Sequence, residues 1–552
     1  MAKKTFFYGA MVLTGASILS KLLGAIFRIP VTNLIGPEAM AYYQAVYPIY
    51  VILLTVSIAG FPVAISRTVS ERLTFGDHYG AHRVFKISLV IMALLGTVSM
   101  VIMWLIAEPL SQRLGDLSGA VYGMKAIAPA LLFVTVIAAF RGYFQGMQNM
   151  RPTAAVQVTE QLFRVITGLT FAAIFVGKSL EYGAAGATSG ATFGALAGLV
   201  LMLIIYAAKV RQPGFREEIA HSRELFRSSE QPLSKVLKAL FSITIPIVIG
   251  ALVMPMMNSL DLAIVANRLT DTGWDPSEVR SMYGQLSAMA GAIINLPQVV
   301  TQSIAISLVP TIISAFKTRD HEFLGRNVSI SARMTMLISL PCSVGVFVLA
   351  RPIMLLLYPR YPDDAMAAAP SLMILAVGIV FLTAIQTMTA ILQGVERQWR
   401  PMVNLLAGAV VKGILTFTLT GIVAVNIRGA AAGTVGAYMV AAFLNYRAIK
   451  KYAGITVEWR LVVVRPLISA LVMGGCAFGA YKLCMTVASG SLSLLNANAF
   501  ATLAGVAVGG LVYVIMVFAT DAISRDELAM LPKSGGLVRI YDKLSRSRRK
   551  GR

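Results

Sequence analysis

Five basic residues lie within or at the ends of long apolar segments, where a charge is costly. They are Lys21, Arg28, Arg67, Arg164 and Lys412. A charge at the centre of a membrane helix costs about 2.5 kcal/mol or more on insertion scales, so it needs a partner, water or a ligand. The common sign of these five residues is typical of a site that binds an anion.

Lys21 and Arg28 are two helical turns apart and therefore share one helix face. Thr14 lies on the same face and Gly24 beside it, which gives a polar stripe with about 10 Å between the two cations. This stripe predicts a cationic wall for an anionic substrate. The alternative for Arg28, which precedes Pro30, is that its side chain snorkels to the outer headgroups.

The other three cations leave two interpretations each. Arg67 is either an ordinary cytoplasmic residue or a gateway that catches an anion at the cytoplasmic side. Arg164 follows Glu160 by one turn, so the two form a structural ion pair or Arg164 serves the substrate. Lys412 has no acidic neighbour within a turn and either takes a partner from another helix or faces a cavity.

The remaining charges inside the apolar segments are fewer. Asp261, with Asn258 one turn earlier, could bind a coupling cation, pair with a cation across a cavity, or form structural hydrogen bonds. Lys125 and Lys482 lie near predicted helix ends and are expected to snorkel.

Long apolar blocks position these residues. The chain has 552 residues, of which 57% are hydrophobic and 13% charged. Blocks of about 20 residues or more can cross a bilayer, and backbone groups in lipid must be hydrogen-bonded within helices. We therefore predict an all-α polytopic membrane protein of about fourteen helices. Their predicted ranges are 6–28, 40–66, 84–107, 120–147, 152–176, 183–208, 236–266, 281–315, 329–350, 366–395, 400–424, 428–449, 460–486 and 498–520.

The net charge of +23 is explained by topology rather than by nucleic acid. Most Lys and Arg residues fall in alternate connecting segments, which are then cytoplasmic. This predicts a multi-pass membrane protein with both termini in the cytoplasm. We interpret the start, with Lys3 and Lys4 before an apolar run, as a retained first helix and not a cleaved signal peptide.

An internal repeat divides the predicted helices. The pattern Gln-Gly, then Arg-Pro, then a helix with a central cation occurs twice at a spacing of about 250 residues, around Arg164 and around Lys412. We predict two six-helix lobes related by a pseudo-two-fold axis along the membrane normal, which suits alternating access. The predicted parts are an N-lobe 1–208, a cytoplasmic basic linker 209–235, a C-lobe 236–450, two extra helices 451–520 and a cytoplasmic basic tail 521–552.

Motifs for covalent or metal chemistry are absent from the sequence. The three cysteines lie in apolar blocks, and the four histidines form neither a zinc spacing nor an HExxH motif. Neither a P-loop nor a GxSxG motif is present. We therefore predict no enzyme activity, no cofactor and no metal site.

The chain resembles the multidrug/oligosaccharidyl-lipid/polysaccharide exporter superfamily, and within it the stage V sporulation protein B-like and MurJ-type lipid II flippase branch of Gram-positive bacteria. The segments that carry the resemblance are SKLLG at 20–24, RIP at 28–30, GFPVAISR at 60–67, RGYFQGMQNMRPT at 141–153, EQ at 160–161 and NSLD at 258–261. The resemblance implies a cavity lined by the first, second, seventh and eighth helices. It also implies that Lys21, Arg28 and Arg67 bind the pyrophosphate of a lipid-linked sugar. The helix 8 arginine of the Gram-negative pattern is absent here.

These observations predict a monomeric flippase for an undecaprenyl-pyrophosphate-linked precursor, lipid II in the first instance, with roles in cell-wall assembly, cell shape or sporulation. The partners would be this anionic lipid-linked sugar and membrane lipids. The alternatives are export of another lipid-linked polysaccharide unit, a cation-coupled multidrug exporter of the same fold, and a membrane scaffold without transport. Lys412 occupies a region where relatives bind sodium, and its ammonium could replace that ion.

Overall fold

The computed structural model describes residues 2–114, 117–226, 232–456, 458–490 and 493–523. The side chains of residues 2–11 and of several residues between 257 and 310 fall outside this description. The predicted tail 521–552 lies almost wholly outside it. The described residues form helices and no strand, so the predicted all-α polytopic class is confirmed.

The chain forms two compact units. Unit 1 comprises Met1–Ala292 and Thr420–Ile427, and unit 2 comprises Ile293–Leu419 and Arg428–Arg552. The helices of unit 1 are α1 (Ala2–Ile58), α2 (Phe61–Thr74), α3 (His78–Arg113), α4 (Ala120–Gly146), α5 (Arg151–Phe175), α6 (Leu180–Val210), α7 (Pro213–Leu225), α8 (Leu233–Asp271) and α9 (Pro276–Gly284), followed by a π-helical turn (Gln285–Ala290).

A short helix α10 (Gly291–Ile294) follows at the boundary of the units. The helices of unit 2 are α11 (Leu296–Lys317), α12 (His321–Val348), α13 (Ala350–Leu357), α14 (Pro362–Gly394), α15 (Trp399–Thr420), α16 (Arg428–Ala453), α17 (Arg465–Ala488, after a π-helical turn Arg460–Val464) and α18 (Leu494–Ala519). Eleven helical runs among the described residues are long and apolar enough to cross a membrane.

The helix α1 contains two of the predicted crossings. Its 57 residues are far more than the roughly 20 that one crossing needs. Gly36 interrupts the helical backbone at φ 81° and ψ 166°, a conformation that glycine tolerates because it lacks a Cβ. The predicted helices 6–28 and 40–66 are therefore one run that turns back on itself at Gly36.

The predicted end of the second crossing at residue 66 is wrong. The helix stops at Ile58, Gly60 adopts a left-handed φ of 81°, and α2 begins at Phe61. A Cβ at Gly60 would lie 2.9 Å from the Thr244 Cα of α8. The helix of the second crossing therefore ends where α8 packs against it. A hydropathy pattern cannot predict this end, because it carries no information about neighbouring helices.

Polar side chains fix the starts of several helices. Asp77 accepts hydrogen bonds from the Gly80 amide (2.7 Å) and from Arg72 (2.8 Å), so it caps α3 and ties it to α2. Ser179 caps α6 and Asp320 caps α12 in the same way. Each such cap typically contributes about 1 kcal/mol.

The core of unit 1 is aromatic where α3, α4 and α6 meet. The ring centroid of Phe85 lies 4.4 Å from that of Tyr143 and 5.1 Å from that of Phe140. The predicted basic linker contains α7, whose Phe215 is buried in this cluster. The amide of Tyr79 donates to Ser222 of α7 at 3.1 Å, so the linker helix is fastened to α3.

Unit 2 uses buried polar contacts between its helices. The hydroxyl oxygens of Thr335 on α12 and Thr387 on α14 form a hydrogen bond at 2.7 Å. The Asn404 amide of α15 donates to Asn445 of α16 at 2.8 Å. Such hydrogen bonds help helices to associate in lipid, where the hydrophobic effect between helices is absent.

Candidate functional site

The first half of α1 packs on α5 through small and polar side chains. The Ser17 hydroxyl donates to the Gln157 side chain at 3.2 Å. A Cβ on Gly24 would lie 3.2 Å from the Gln161 Nε2 atom, so glycine permits close contact here. The contacts advance in the same direction along both helices, and the two segments therefore run parallel.

This contact places Arg164 beside the α1 segment that carries Lys21 and Arg28, and the three residues are called the cation layer of unit 1 below. The Phe27 ring packs against Gly168, one turn beyond Arg164 on α5, so Arg164 is level with the α1 segment between Lys21 and Arg28. Lys21 is exposed and Arg28 half-buried. At about 100° per residue, both lie beside the face of α1 that contacts α5.

The guanidinium of Arg164 is held by tyrosines of the second half of α1. Its Nη2 donates a hydrogen bond to the Tyr47 hydroxyl, and its Cζ lies 5.2 Å from the centroid of the same ring. The Tyr43 hydroxyl donates to the Tyr47 hydroxyl at 3.0 Å, and the two ring centroids are 4.8 Å apart. Arg164 therefore bridges α5 and the second crossing through neutral partners.

The predicted partner of Arg164, Glu160, forms its ion pair elsewhere. Its Oε2 accepts from the Nη2 of Arg141, which lies on α4. The hydrogen-bonded ion pair of Glu160 is therefore with Arg141, while its charge also acts on Arg164 one turn away. Its other oxygen, Oε1, is buried without a protein hydrogen bond.

A stripe of glycines on α6 allows the backbone of α5 to approach at these charges. A Cβ on Gly190 would lie 2.5 Å from the Arg164 carbonyl oxygen. A Cβ on Gly194 would clash with the Glu160 carbonyl, and one on Gly198 with the Glu160 side chain. Small residues four apart are a common means of close helix packing in membranes.

Arg67 lies on the exposed side of α2. The opposite side of this helix packs on α4, where Cβ atoms on Gly142 and Gly146 would lie 2.8 Å from Ile65 and 2.7 Å from Val69. The two glycines of the RGYFQG segment therefore have a packing role. The structure gives Arg67 a free face of α2 and no contact with the three cations of the α1–α5 layer among the described interactions.

The acidic candidates are on α8. Asp261 is half-buried there. The side chain of Asn258 lies outside the described residues. Within the described ranges, no three His, Cys, Asp or Glu residues are grouped closely enough to hold a metal ion.

Lys412 belongs to unit 2 and is buried, with 4% of its surface exposed. It lies on α15, where a Cβ on Gly433 of α16 would be 2.5 Å from the Thr416 hydroxyl and 3.3 Å from the Lys412 carbonyl. The position predicted from the repeat is thus an interior one within the α15–α16 contact.

Two contacts at the turn of α1 were not predicted. The Nη2 of Arg280 on α9 lies 3.4 Å from the Glu38 carboxylate. The Gln44 amide donates to the Ser287 carbonyl of the π-helical turn at 2.7 Å. These contacts join α1, in the predicted N-lobe, to a segment of the predicted C-lobe.

Sequence reasoning also missed Tyr43, Tyr47 and Arg141. The two tyrosines are one turn apart in an apolar block, a spacing that is more often a core feature. Arg141 lies within α4 and was not among the candidate site residues. A search for a partner of the acidic Glu160 on helices other than its own could have found Arg141.

Comparisons with known proteins agree on the class of molecule. A family model described as "Polysaccharide biosynthesis protein" matches residues 6–316. The chain is 26% identical over 543 residues to stage V sporulation protein B of Bacillus subtilis (strain 168), covering 98% of this chain and 100% of the relative. It is 26% identical over 519 residues to lipid II flippase MurJ of the same organism, covering 92% and 93%.

Solved structures with the same fold include two transporters. A structure of lipid II flippase MurJ in an inward closed conformation has a TM-score of 0.64 at 15% identity and covers 93% of this chain and all of the other. An inward-facing multidrug resistance MATE family transporter has a TM-score of 0.66 at 16% identity and covers 79% of this chain and 94% of the other. At these identities the likeness concerns the fold alone.

Proposed function

We propose that this chain, which belongs to the polysaccharide biosynthesis protein family, is a flippase that moves a pyrophosphate-linked lipid sugar from the inner to the outer leaflet. The family membership confirms the resemblance predicted from the motifs of the first helices. The substrate we propose is lipid II, because a relative named as a lipid II flippase matches over nearly the full length of both chains.

The observation that carries this proposal is the layer of cations in unit 1. Lys21 and Arg28 lie on the segment of α1 that packs beside the part of α5 carrying Arg164, and the nearby carboxylate of Glu160 is already paired with Arg141. The layer therefore has an excess of positive charge in a part of the chain that crosses the membrane. Oxygen atoms of a pyrophosphate are strong acceptors for charge-assisted hydrogen bonds from such side chains.

Translocation of this substrate needs no covalent step. The polyprenyl tail can stay in the bilayer while the head crosses, so the protein has only to replace the water around the phosphates. A negative-inside potential would favour outward movement of the anion by about 2.3 kcal/mol per charge per 100 mV. In this proposal Arg67 catches the head at the cytoplasmic side, and Asp261, Asn258 and Lys412 are candidates for coupling or charge balance.

The proposed function is tested with purified protein in vesicles that contain a fluorescent lipid II. We expect the protein to accelerate the loss of lipid II from the leaflet in which it is placed, measured by quenching from outside. Vesicles with an undecaprenyl-pyrophosphate carrying a different sugar, and vesicles with a cationic dye, are run in parallel. Transport of the dye with no movement of either lipid would overturn the proposal.

A second candidate is export of another lipid-linked polysaccharide unit. It is favoured by the description of the matching family and by the similarity to a sporulation protein of comparable length. The same cation layer would serve, because the pyrophosphate is common to both substrates. Faster movement of the second lipid than of lipid II in the parallel vesicles would favour it. The fold alone also allows a cation-coupled multidrug exporter, for which transport of the dye is the discriminating result.

The contact between Glu38 and Arg280 gives a prediction about alternating access. If the predicted lobes separate at this end to release the head, the 3.4 Å ion pair must open in every cycle. We expect a Glu38→Cys and Arg280→Cys pair, joined by a short thiol cross-linker, to stop lipid translocation almost completely. Cleavage of the linker with a reductant should restore it, as measured in the vesicle assay.

The control for this experiment joins two positions that belong to one predicted lobe. A Tyr122→Cys and Tyr182→Cys pair suits this purpose, because the two exposed rings lie 4.9 Å apart on α4 and α6. Cross-linking there should leave translocation unchanged. Full activity of the cross-linked 38–280 pair would contradict opening at this end.

A further inference from the structure

The positive charge of Arg164 is held by hydroxyl groups rather than by a carboxylate. We infer that Tyr47, supported by Tyr43, is a positioning residue that presents Arg164 as a cation to the pyrophosphate of the substrate, and that Arg141 offsets the charge of Glu160 so that the site keeps a net positive charge. This inference rests on the proposed function and deepens it. It assigns a role to Tyr43, Tyr47 and Arg141 in the same site.

A hydroxyl orients a guanidinium without neutralising it. Arg164 has five N–H donors, and its Nη2 donates to Tyr47. The ring of Tyr47 also contacts the cation, with 5.2 Å between Cζ and the ring centroid. A carboxylate in this position would instead cancel the charge that an anionic head requires.

Tyr47 is itself fixed by its neighbours. The Tyr43 hydroxyl donates to it at 3.0 Å, and the ring centroids of Tyr43 and Tyr50 lie 4.8 Å and 6.1 Å from its own. Tyr43 and Tyr50 are 2% and 6% exposed. Rigid packing on both sides keeps the Tyr47 hydroxyl directed toward Arg164.

Glu160 is the carboxylate that could neutralise Arg164, because it lies one turn earlier on α5. Arg141 pairs with it from α4 and offsets its charge, part of which still acts on Arg164. The glycines of α6 hold the backbone of both residues in place. The three charges Arg141, Glu160 and Arg164 therefore leave one net positive charge in the layer.

The first test compares Tyr47→Phe with Tyr182→Phe, whose side chain is exposed and stacks on Tyr122. Binding of undecaprenyl pyrophosphate to purified protein is measured with the thermal midpoint as a check on folding. Tyr47→Phe should weaken binding about tenfold, the size expected for a lost hydrogen bond to a charged group, while the thermal midpoint shows that the protein remains folded. Tyr182→Phe should change neither quantity.

A double-mutant cycle separates positioning from general stability. If Tyr47 acts through Arg164, the Tyr47→Phe and Arg164→Gln double variant should bind no more weakly than Arg164→Gln alone. Losses that multiply in the double variant would overturn the inference.

The second test removes Arg141. Arg141→Gln releases Glu160, which should then pair with Arg164 and weaken pyrophosphate binding about tenfold or more. Adding Glu160→Gln should restore binding, because no carboxylate remains to compete. No recovery of binding in a double variant with the wild-type thermal midpoint would overturn the role given to Arg141.

A substrate-independent readout distinguishes this inference from the proposed function. The rate at which phenylglyoxal modifies Arg164 is followed by peptide mass spectrometry. It should rise several-fold in Tyr47→Phe, because the guanidinium is no longer held, and stay unchanged in Tyr182→Phe. Equal rates in Tyr47→Phe and wild type overturn the inference. If wild-type protein binds no lipid pyrophosphate, the proposed function fails, while the modification rates still decide whether Tyr47 holds Arg164.

Discussion

Replacement of Lys21 by glutamate should reduce lipid II translocation by about 1000-fold or more. The substitution removes one attraction and adds one repulsion, and a unit charge pair at 4 Å is worth about 4 kcal/mol at a surface-like dielectric. Lys21 is exposed on α1 beside the part of α5 that carries Arg164, and under the proposed function a carboxylate there would repel the pyrophosphate head. Initial rates in the vesicle assay give the measurement.

Lys482→Glu is the matched control for this reversal of charge. Lys482 is an exposed lysine of α17, with its ammonium 4.8 Å from the centroid of Phe478, and it is expected to snorkel. Its reversal should alter translocation less than about twofold, as is usual for a surface charge. Similar losses in both variants would mean that net charge matters and that the layer around Lys21 does not.

Substitution of Gly194 by leucine should have the largest effect on folding. A Cβ at this position already clashes with the Glu160 carbonyl and lies 2.9 Å from the Arg164 Cβ, and leucine adds three further carbons. Overpacking in a dense interior typically costs about 1–3 kcal/mol or more, and here the obstacle includes helix backbone that cannot rotate away. We expect a thermal midpoint lowered by about 1–3 °C or more, and a loss of translocation because α5 carries Arg164 out of the layer.

Gly479→Leu provides the comparison. This glycine is exposed on α17, and a Cβ there would have no atom within 4 Å. Its replacement should leave the thermal midpoint and translocation near wild type, because the new side chain enters open space. A Gly194→Leu variant that retains the wild-type midpoint would show that α5 and α6 can separate at no cost, contrary to the packing described.

Features that depend on local sequence were predictable. The apolar blocks predicted the membrane-spanning helices, because a segment that crosses the bilayer must be helical and about 20 residues long. The spacing of Lys21 and Arg28, two helical turns, predicted that their side chains share one face of the first helix. The break at Gly60 was not predictable from hydropathy, because the cause is the approach of α8 at Thr244.

Partners from distant parts of the chain were beyond the sequence. Glu160 and Arg164 are neighbours on one helix, which favoured pairing them, yet α4 and α1 supply the actual contacts through Arg141 and Tyr47. Lys412 had no acidic neighbour within a turn, which left open a partner on another helix or a cavity, and the residue is buried in unit 2. The sequence pattern of one helix shows which residues share a face, but it does not show which other helix packs against that face.

The turn at Gly36 has a consequence for biogenesis. Because α1 resumes directly after it, the first two crossings have no loop long enough to be delivered across the bilayer by itself. We expect them to enter the lipid together as a hairpin. Lys21 and Arg28 would then enter the bilayer together with the tyrosines of the second crossing.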